Sequence, residues 1–405
     1  MRTTLTWIVV LGAAWASTMG GAPPALAQQR LPLGGGDTLS IGGFINATMF
    51  TNRSRFGAFG QGQSAEWAAQ TRLHADAIFT DADVRNTRLS FEFTGAPVFG
   101  SWQPRSTFET DFFGGNDLPP FGDEQPRLRM RLAYVDLTNH HTTLRIGQYW
   151  APFFGEVPVS LSHVAFPLGY GGSGMVGWRF PGVYVYQDLS RSEKLEAQLQ
   201  LAAFKGSGPP ATAQDSNVVM AIGSGEASGL PQLEARLDLG RSRSRLGWRG
   251  YLVSHVDWQD TTGTGVPGDN LTAWGLEAGG NVRPGRLTVH GNVYYGKALG
   301  QQFAHLTQLG NIRGWGAWSQ AGYDFTPRWS LWGFMGIDDP DEARFRRDHP
   351  RTPVLARQQN RTTDALLRFR AGRYALGVEW FRAVTHWSTG TTDADQVALS
   401  VMYRL

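Results

Sequence analysis

The sequence predicts an all-β fold, a transmembrane antiparallel β-barrel of about 16 strands, on three observations. Apolar residues recur with a period of two in segment after segment. The links between those segments alternate between short and long. No stretch is long and apolar enough for a spanning helix. Composition agrees: 51 glycines, 12 % aromatic and 18 % charged residues in a chain of 405 describe strands and tight turns.

The first residues read as an export signal. Arg2 precedes an apolar run from Leu5 to Ala16, and Ala25-Leu26-Ala27 forms an A-x-A cleavage site. Residues 1–27 are therefore expected to be a signal peptide and 28–405 the barrel. Zero cysteines exclude a disulfide framework and thiol–metal chemistry. The formal net charge of +3 is too small to argue for nucleic acid. All basic residues except Lys194, Lys205 and Lys297 are arginine, so placement has to carry the argument instead of abundance.

Strands are expected near 38–50, 86–94, 104–113, 127–137, 142–149, 181–189, 194–204, 231–240, 244–255, 270–282, 285–297, 313–325, 328–337, 361–371, 373–383 and 395–405. In the last of them, "DQVALSVMYRL", Val397, Leu399, Val401, Tyr403 and Leu405 share one face. Gln396, Ala398, Ser400 and Arg404 share the other. Links after even-numbered strands are short (95–103, 138–141, 190–193, 241–243, 283–284, 326–327 and 372). Links after odd-numbered strands are long (51–85, 114–126, 150–180, 205–230, 256–269, 298–312, 338–360 and 384–394).

Such parity sends short turns to one end and long loops to the other, as in an outer-membrane barrel with periplasmic turns and extracellular loops. Backbone amides in hydrocarbon must all be paired, so a sheet crosses the bilayer only if it closes on itself. Trp315, Trp329, Tyr374, Trp380 and Tyr403 fall near strand ends on the apolar face, where interfacial girdles sit.

Four stretches, "TRLSFEFTGAP" (87–97), "FETDFFGG" (108–115), "RLRMRLAYVDL" (127–137) and "LRIGQYWAPF" (144–153), resemble the DcaP-like outer-membrane porins and the related phosphate-selective porin O/P family. "GWRFPGVYVY" (177–186) is similar to the strand that follows their constriction loop. The resemblance covers residues 87 to 190 and is architectural afterwards. It implies a homotrimeric, anion-preferring diffusion channel in the bacterial outer membrane, with lipid bilayer and small anionic solutes as partners and no cofactor. One departure is Leu405 at the end of the chain, where such barrels usually have Phe.

Inward positions follow by parity. Arg127, Arg129 and Arg131 are expected in the lumen, and Leu128, Met130, Leu132 and Tyr134 toward lipid, because an arginine facing the bilayer midplane costs about 2 to 4 kcal/mol. Arg88, Arg105 and Arg145 join them on neighbouring strands, with Glu92, Glu109 and Asp111 opposing and Arg179 beyond the next loop. This arginine lining either selects anions or only pairs with the acids and stiffens the wall. Loop 150–180, rooted at Tyr149 and Trp150, carries Phe153, Phe154, Glu156, Phe166 and Tyr170 and is expected to narrow the pore; the alternative is an exterior flap.

Other motifs are weaker. Gly169, Gly171 and Gly174 match G-x-G-x-x-G without the strand and helix that a dinucleotide site needs. His140 and His141 lack a third metal ligand, while Asp338, Asp339, Asp341 and Glu342 read as a solvated loop that pairs with Arg344, Arg346 and Arg347, so no metal site is expected. His290 and Asn292 share an inward face without an identifiable nucleophile, so no enzyme is expected. The rival readings are a sugar or aromatic-acid specific channel and a closed barrel acting as an adhesin or structural protein.

Overall fold

Sixteen strands close into one antiparallel barrel. The computed structural model describes residues 29–57, 65–70, 77–117, 125–170, 172–192, 195–206, 222–241, 246–262, 269–303, 306–308, 310–341 and 357–405. The expected signal peptide and residues 342–356, with Glu342, Arg344, Arg346 and Arg347, lie outside them.

The wall begins with β1 (Asp37–Arg53), β2 in two pieces (Ile78–Asp83 and Arg88–Thr94), β3 (Gln103–Asp111), β4 (Arg129–Asn139) and β5 (Thr142–Trp150). It continues with β6 (Arg179–Arg191), β7 (Glu196–Phe204), β8 (Gln232–Arg241), β9 (Leu246–Asp260), β10 (Asn270–Pro284) and β11 (Leu287–Lys297). It ends with β12 (Arg313–Asp324), β13 (Trp329–Pro340), β14 (Arg357–Ala371), β15 (Tyr374–Trp387) and β16 (Gly390–Arg404). Each strand pairs with the next, and β16 pairs back onto β1 from Phe44↔Arg404 to Arg53↔Asp395, which leaves no open edge. A further N-terminal strand, Gln29–Gly34, folds back on the start of β1.

Period two becomes a two-faced wall. On β16, Val397, Leu399 and Val401 are exposed, while Gln396, Ala398, Ser400 and Met402 are buried. Trp315, Trp329, Tyr374 and Trp380 are exposed on the outer face. No helix among the described residues is long and apolar enough to cross a membrane.

Three expectations fail. Asp338 and Asp339 are not in a solvated loop but in β13, where Asp338 is 1 % exposed and accepts from the Tyr294 hydroxyl. Link 384–394 is not a long loop: β15 and β16 stay paired up to Trp387↔Gly390, so a two-residue turn joins them. Leu132 and Tyr134 do not face lipid. A bulge makes Thr110 pair with Met130 while Glu109 pairs with Leu132, so Arg131 is the extra residue and the phase slips by one. Beyond it Leu132 is 5 % exposed, Val135 carries the outer face, and Tyr134 turns inward to the Arg145 guanidinium.

Candidate permeation site

Loop 151–178, between β5 and β6, lies inside the barrel with nearly every described residue buried; Gly171 lies outside the described residues. Irregular backbone enclosed in this way needs polar partners, and the inner wall supplies them from all sides. Glu234 on β8 accepts from Phe153 N–H at 2.7 Å. Gln320 on β12 accepts from Val159 N–H at 2.7 Å and donates to Val159 O at 2.8 Å. Glu379 on β15 uses one oxygen to accept from Leu161 N–H, Ser162 N–H and Ser162 Oγ at 3.2, 2.9 and 2.7 Å. Asn86, at the break in β2, donates to Ser162 O and accepts from Ala165 N–H.

His290 and Asn292 belong to the same scaffold. Asn292 donates to Gly174 O at 2.8 Å, and His290 lies 3.8 Å from Glu156. Gly174 has a φ of +99°, and a Cβ there would lie 2.3 Å from the Ala317 carbonyl carbon. Glycine thus serves close approach to the wall.

The loop aromatics pack inside the barrel. Trp150 stacks on Phe154 at 3.9 Å, Phe166 on Trp178 at 5.9 Å, and Tyr170 lies 4.7 Å from Trp178. Phe153 packs with His255 and Phe303. Burial by itself would raise the Glu156 carboxyl, but the adjacent His290 ring, the bond from Asn281 and the nearby Arg249 charge hold it below the ordinary value.

Most of the expected arginines have acid partners. Arg129 grips Asp111 at two points, 2.9 and 2.7 Å, and Arg131 donates to Glu109 at 2.7 Å and Asp111 at 2.9 Å. Arg88 lies 3.7 Å from Glu109, and Arg105 pairs with Glu92. Arg145 is bound by Asp136, an acid that the parity reading did not single out. Arg127 is exposed ahead of β4, and its backbone pairs with Gly114 and Gly115.

Arg179 differs in kind. It is buried over the Trp178 and Trp150 rings at 4.1 and 4.9 Å, and its Nε and Nη1 have no hydrogen-bond partner. Its charged neighbours are Arg131, Arg129, Asp111 and Arg88. Four guanidinium groups thus cluster around Glu109 and Asp111.

A cavity of about 140 Å³ separates the loop from this part of the wall. Arg88 and Arg131 line one side, Arg236 and Arg249 another, with Tyr149 and Tyr186 among the aromatics. Arg236 and Arg249 were not among the expected residues. Arg236 is held by Asp238 at two points, both 2.9 Å, and Arg249 reaches the same carboxylate at 3.2 Å. The signal for Arg236 was present, since in 231–240 the leucines at 233, 237 and 239 point out and Glu234, Arg236 and Asp238 in. No group of acids and histidines placed to hold a metal occurs among the described residues.

No family model and no curated protein matches the sequence. Solved structures do match its fold. The outer-membrane channel DcaP of Acinetobacter baumannii superposes with a TM-score of 0.72 at 18 % identity, over 93 % of this chain and 99 % of that one. An anion-selective porin from Comamonas acidovorans gives 0.55 at 11 % identity, over 91 % and 100 %. The trimer form of OmpT, an outer-membrane protein of Vibrio cholerae, gives 0.52 at 9 % identity, over 91 % and 99 %. The chain has the 16-stranded barrel fold of these outer-membrane proteins.

Proposed function

We propose that the chain is a porin of the bacterial outer membrane through which small solutes, anions in preference, diffuse passively. The observation that carries this reading is the arrangement around the loop-lined cavity. Guanidinium groups reach it from opposite parts of the wall, and beside it Arg179 is buried without an acid of its own. Fixed cationic charge in a narrow water-filled passage raises the local anion concentration without binding tightly. Loop 151–178 acts as the constriction.

The functional unit is a homotrimer in this reading. Among the described residues every exposed Trp or Tyr lies at Trp248 or later, so the described wall of β1–β8 lacks the anchors that mark a lipid interface. A second copy of the chain fits that wall.

Planar bilayers test the proposal. Stepwise conductance is expected, with a reversal potential under a potassium chloride gradient that reports chloride preference. A folded protein without conductance overturns the porin, and a cation-preferring pore overturns the role of the arginines. Tyr149, Trp150, Phe154 and Tyr186 beside the cavity favour a second reading, a channel for aromatic acids. Benzoate that blocks chloride current better than acetate does would select it.

A further inference from the structure

A second segment from the long-loop end is folded into the lumen. Residues 65–70 belong to the link between β1 and β2, yet Ala65, Glu66, Trp67 and Ala68 are all 8 % exposed or less. Backbone buried this deeply needs partners, and the constriction loop and the wall both supply them. His163 Nε2 on the loop donates to Ala65 O at 2.7 Å. Asn360 on β14 donates to Glu66 O at 3.3 Å and to Ser173 Oγ of the loop at 2.7 Å. Ala68 N–H donates to Thr385 Oγ1 on β15 at 2.9 Å, and Thr385 Oγ1 donates to Asn360 Oδ1 at 2.7 Å.

Side chains complete the seat. The Arg357 guanidinium lies 4.1 Å from the Trp67 ring. A Cβ on loop residue Gly172 would lie 2.4 Å from Arg357 Nη2, so the two in-folded segments meet across this arginine. Phe56, bridged to Ala68, packs on Phe381 of β15 with ring centroids 5.7 Å apart. On the inner faces of β14 and β15, Asn360, Thr362, Asp364, Phe381, Ala383 and Thr385 are all 2 % exposed or less. Water therefore has no path along this part of the described wall, whereas the cavity beside the arginine cluster is kept.

We infer that residues 65–68 form a strap that closes a bypass along β14 and β15 and so obliges permeating anions to pass the arginine-lined cavity. Trp67 and Ala68 are then specificity-determining residues of the channel. The charges on the closed side support this. Between Arg357 at the loop end and Arg368 toward the short turns, the inner faces of β14 and β15 carry only Asp364 and Glu379, diagonal neighbours in the register of the two strands. A water-filled route past two carboxylates would favour cations and dilute the anion preference set on the other side. The inference rests on the porin reading, and the two fail in different ways.

Strap variants in planar bilayers test it. Ala65 and Ala68 are 0 % exposed, so A65Q/A68Q should free the strap without adding charge, while the wall and loop 151–178 keep their residues. Conductance should rise about twofold and the chloride-to-potassium permeability ratio should fall about threefold. W67A removes only the ring against Arg357 and should move both quantities the same way by less. It carries the test if heat-modifiable gel mobility shows that the double variant does not fold. The chain has no cysteine, so seating is read directly: A68C should resist a maleimide, added on the loop side, that labels the half-exposed L230C. A reactive A68C, or native conductance in a folded A65Q/A68Q, overturns the strap. A larger current at an unchanged ratio overturns its part in selectivity. Absence of conductance in wild type and variants alike overturns the porin reading and takes this inference with it.

Discussion

Arg145 and Asp136 are direct cross-strand partners on the inner wall, joined at two points, each 2.7 Å long. The rings of Tyr134 and Tyr149 lie 3.9 and 3.7 Å from the same guanidinium. A pair so enclosed cancels its own charge, which makes it a wall fastener and not a selector. R145S should destabilise the barrel by about 3 kcal/mol, because it strands a buried carboxylate. R145S/D136S should recover most of that loss and keep the native reversal potential. Urea unfolding in lipid vesicles and bilayer recording check the two halves, and a double variant with altered selectivity would remove Arg145 from the fasteners.

Arg179 is the opposite case, a buried cation without an acid of its own. Fixed charge at 4 to 5 Å in water is worth about 1 kcal/mol, so R179Q should lower the chloride-to-potassium permeability ratio about fivefold. Stability should hold or rise, since the substitution removes an unbalanced buried charge. An unchanged ratio in a folded R179Q channel would show that Arg179 only packs on Trp150 and Trp178.

Arg129 and Arg131 stand between these limits, because both serve Asp111. R129S/R131S removes two of the four cations and leaves both acids, so the reversal potential should move toward cations further than in R179Q. Folding should suffer at Asp111, and adding D111N should restore it while restoring only part of the selectivity. If D111N restores folding and selectivity was native throughout, the two arginines are structural.

These cases mark how far the sequence could be read. Strand count and closure were legible because the bilayer enforces both period two and turn parity. The inward or outward sense of each side chain was legible until a bulge: nothing in "RLRMRLAYVDL" signals that Arg131 is the extra residue, because only the register with β3 reveals it. Arg236 was legible by the same alternation, since Leu233, Leu237 and Leu239 face out around it. The scaffold of the loop was not legible, since Val159 and Gln320 are 161 positions apart and their meeting depends on closure of the whole barrel.

Glu156 makes the seating of the loop depend on pH. Its carboxyl is held below the ordinary value of 4.5 while the loop is seated, and it titrates at the ordinary value when the loop leaves the wall. The seated form therefore gains from ionised Glu156 above pH 4.5 and loses that gain as the pH falls through the lower, seated value. Current fluctuations should increase when a bilayer bath is taken from pH 6 to pH 3, and E156Q should weaken that dependence. An identical acid response in E156Q would assign it to other carboxylates.

The uneven distribution of exposed Trp and Tyr leads to a paired test of assembly. Val135 and Val378 are about equally exposed, at 52 % and 50 %, but Val135 stands on β4 in the wall without anchors and Val378 on β15 between Tyr374 and Trp380. An arginine facing lipid near the midplane costs about 2 to 4 kcal/mol, whereas one buried against a second copy breaks the contact itself. V135R should therefore give folded monomers in mild detergent, as read by light scattering. V378R should keep the trimer and insert less readily into vesicles. Trimers that survive V135R and dissociate with V378R would move the interface to the other half of the barrel.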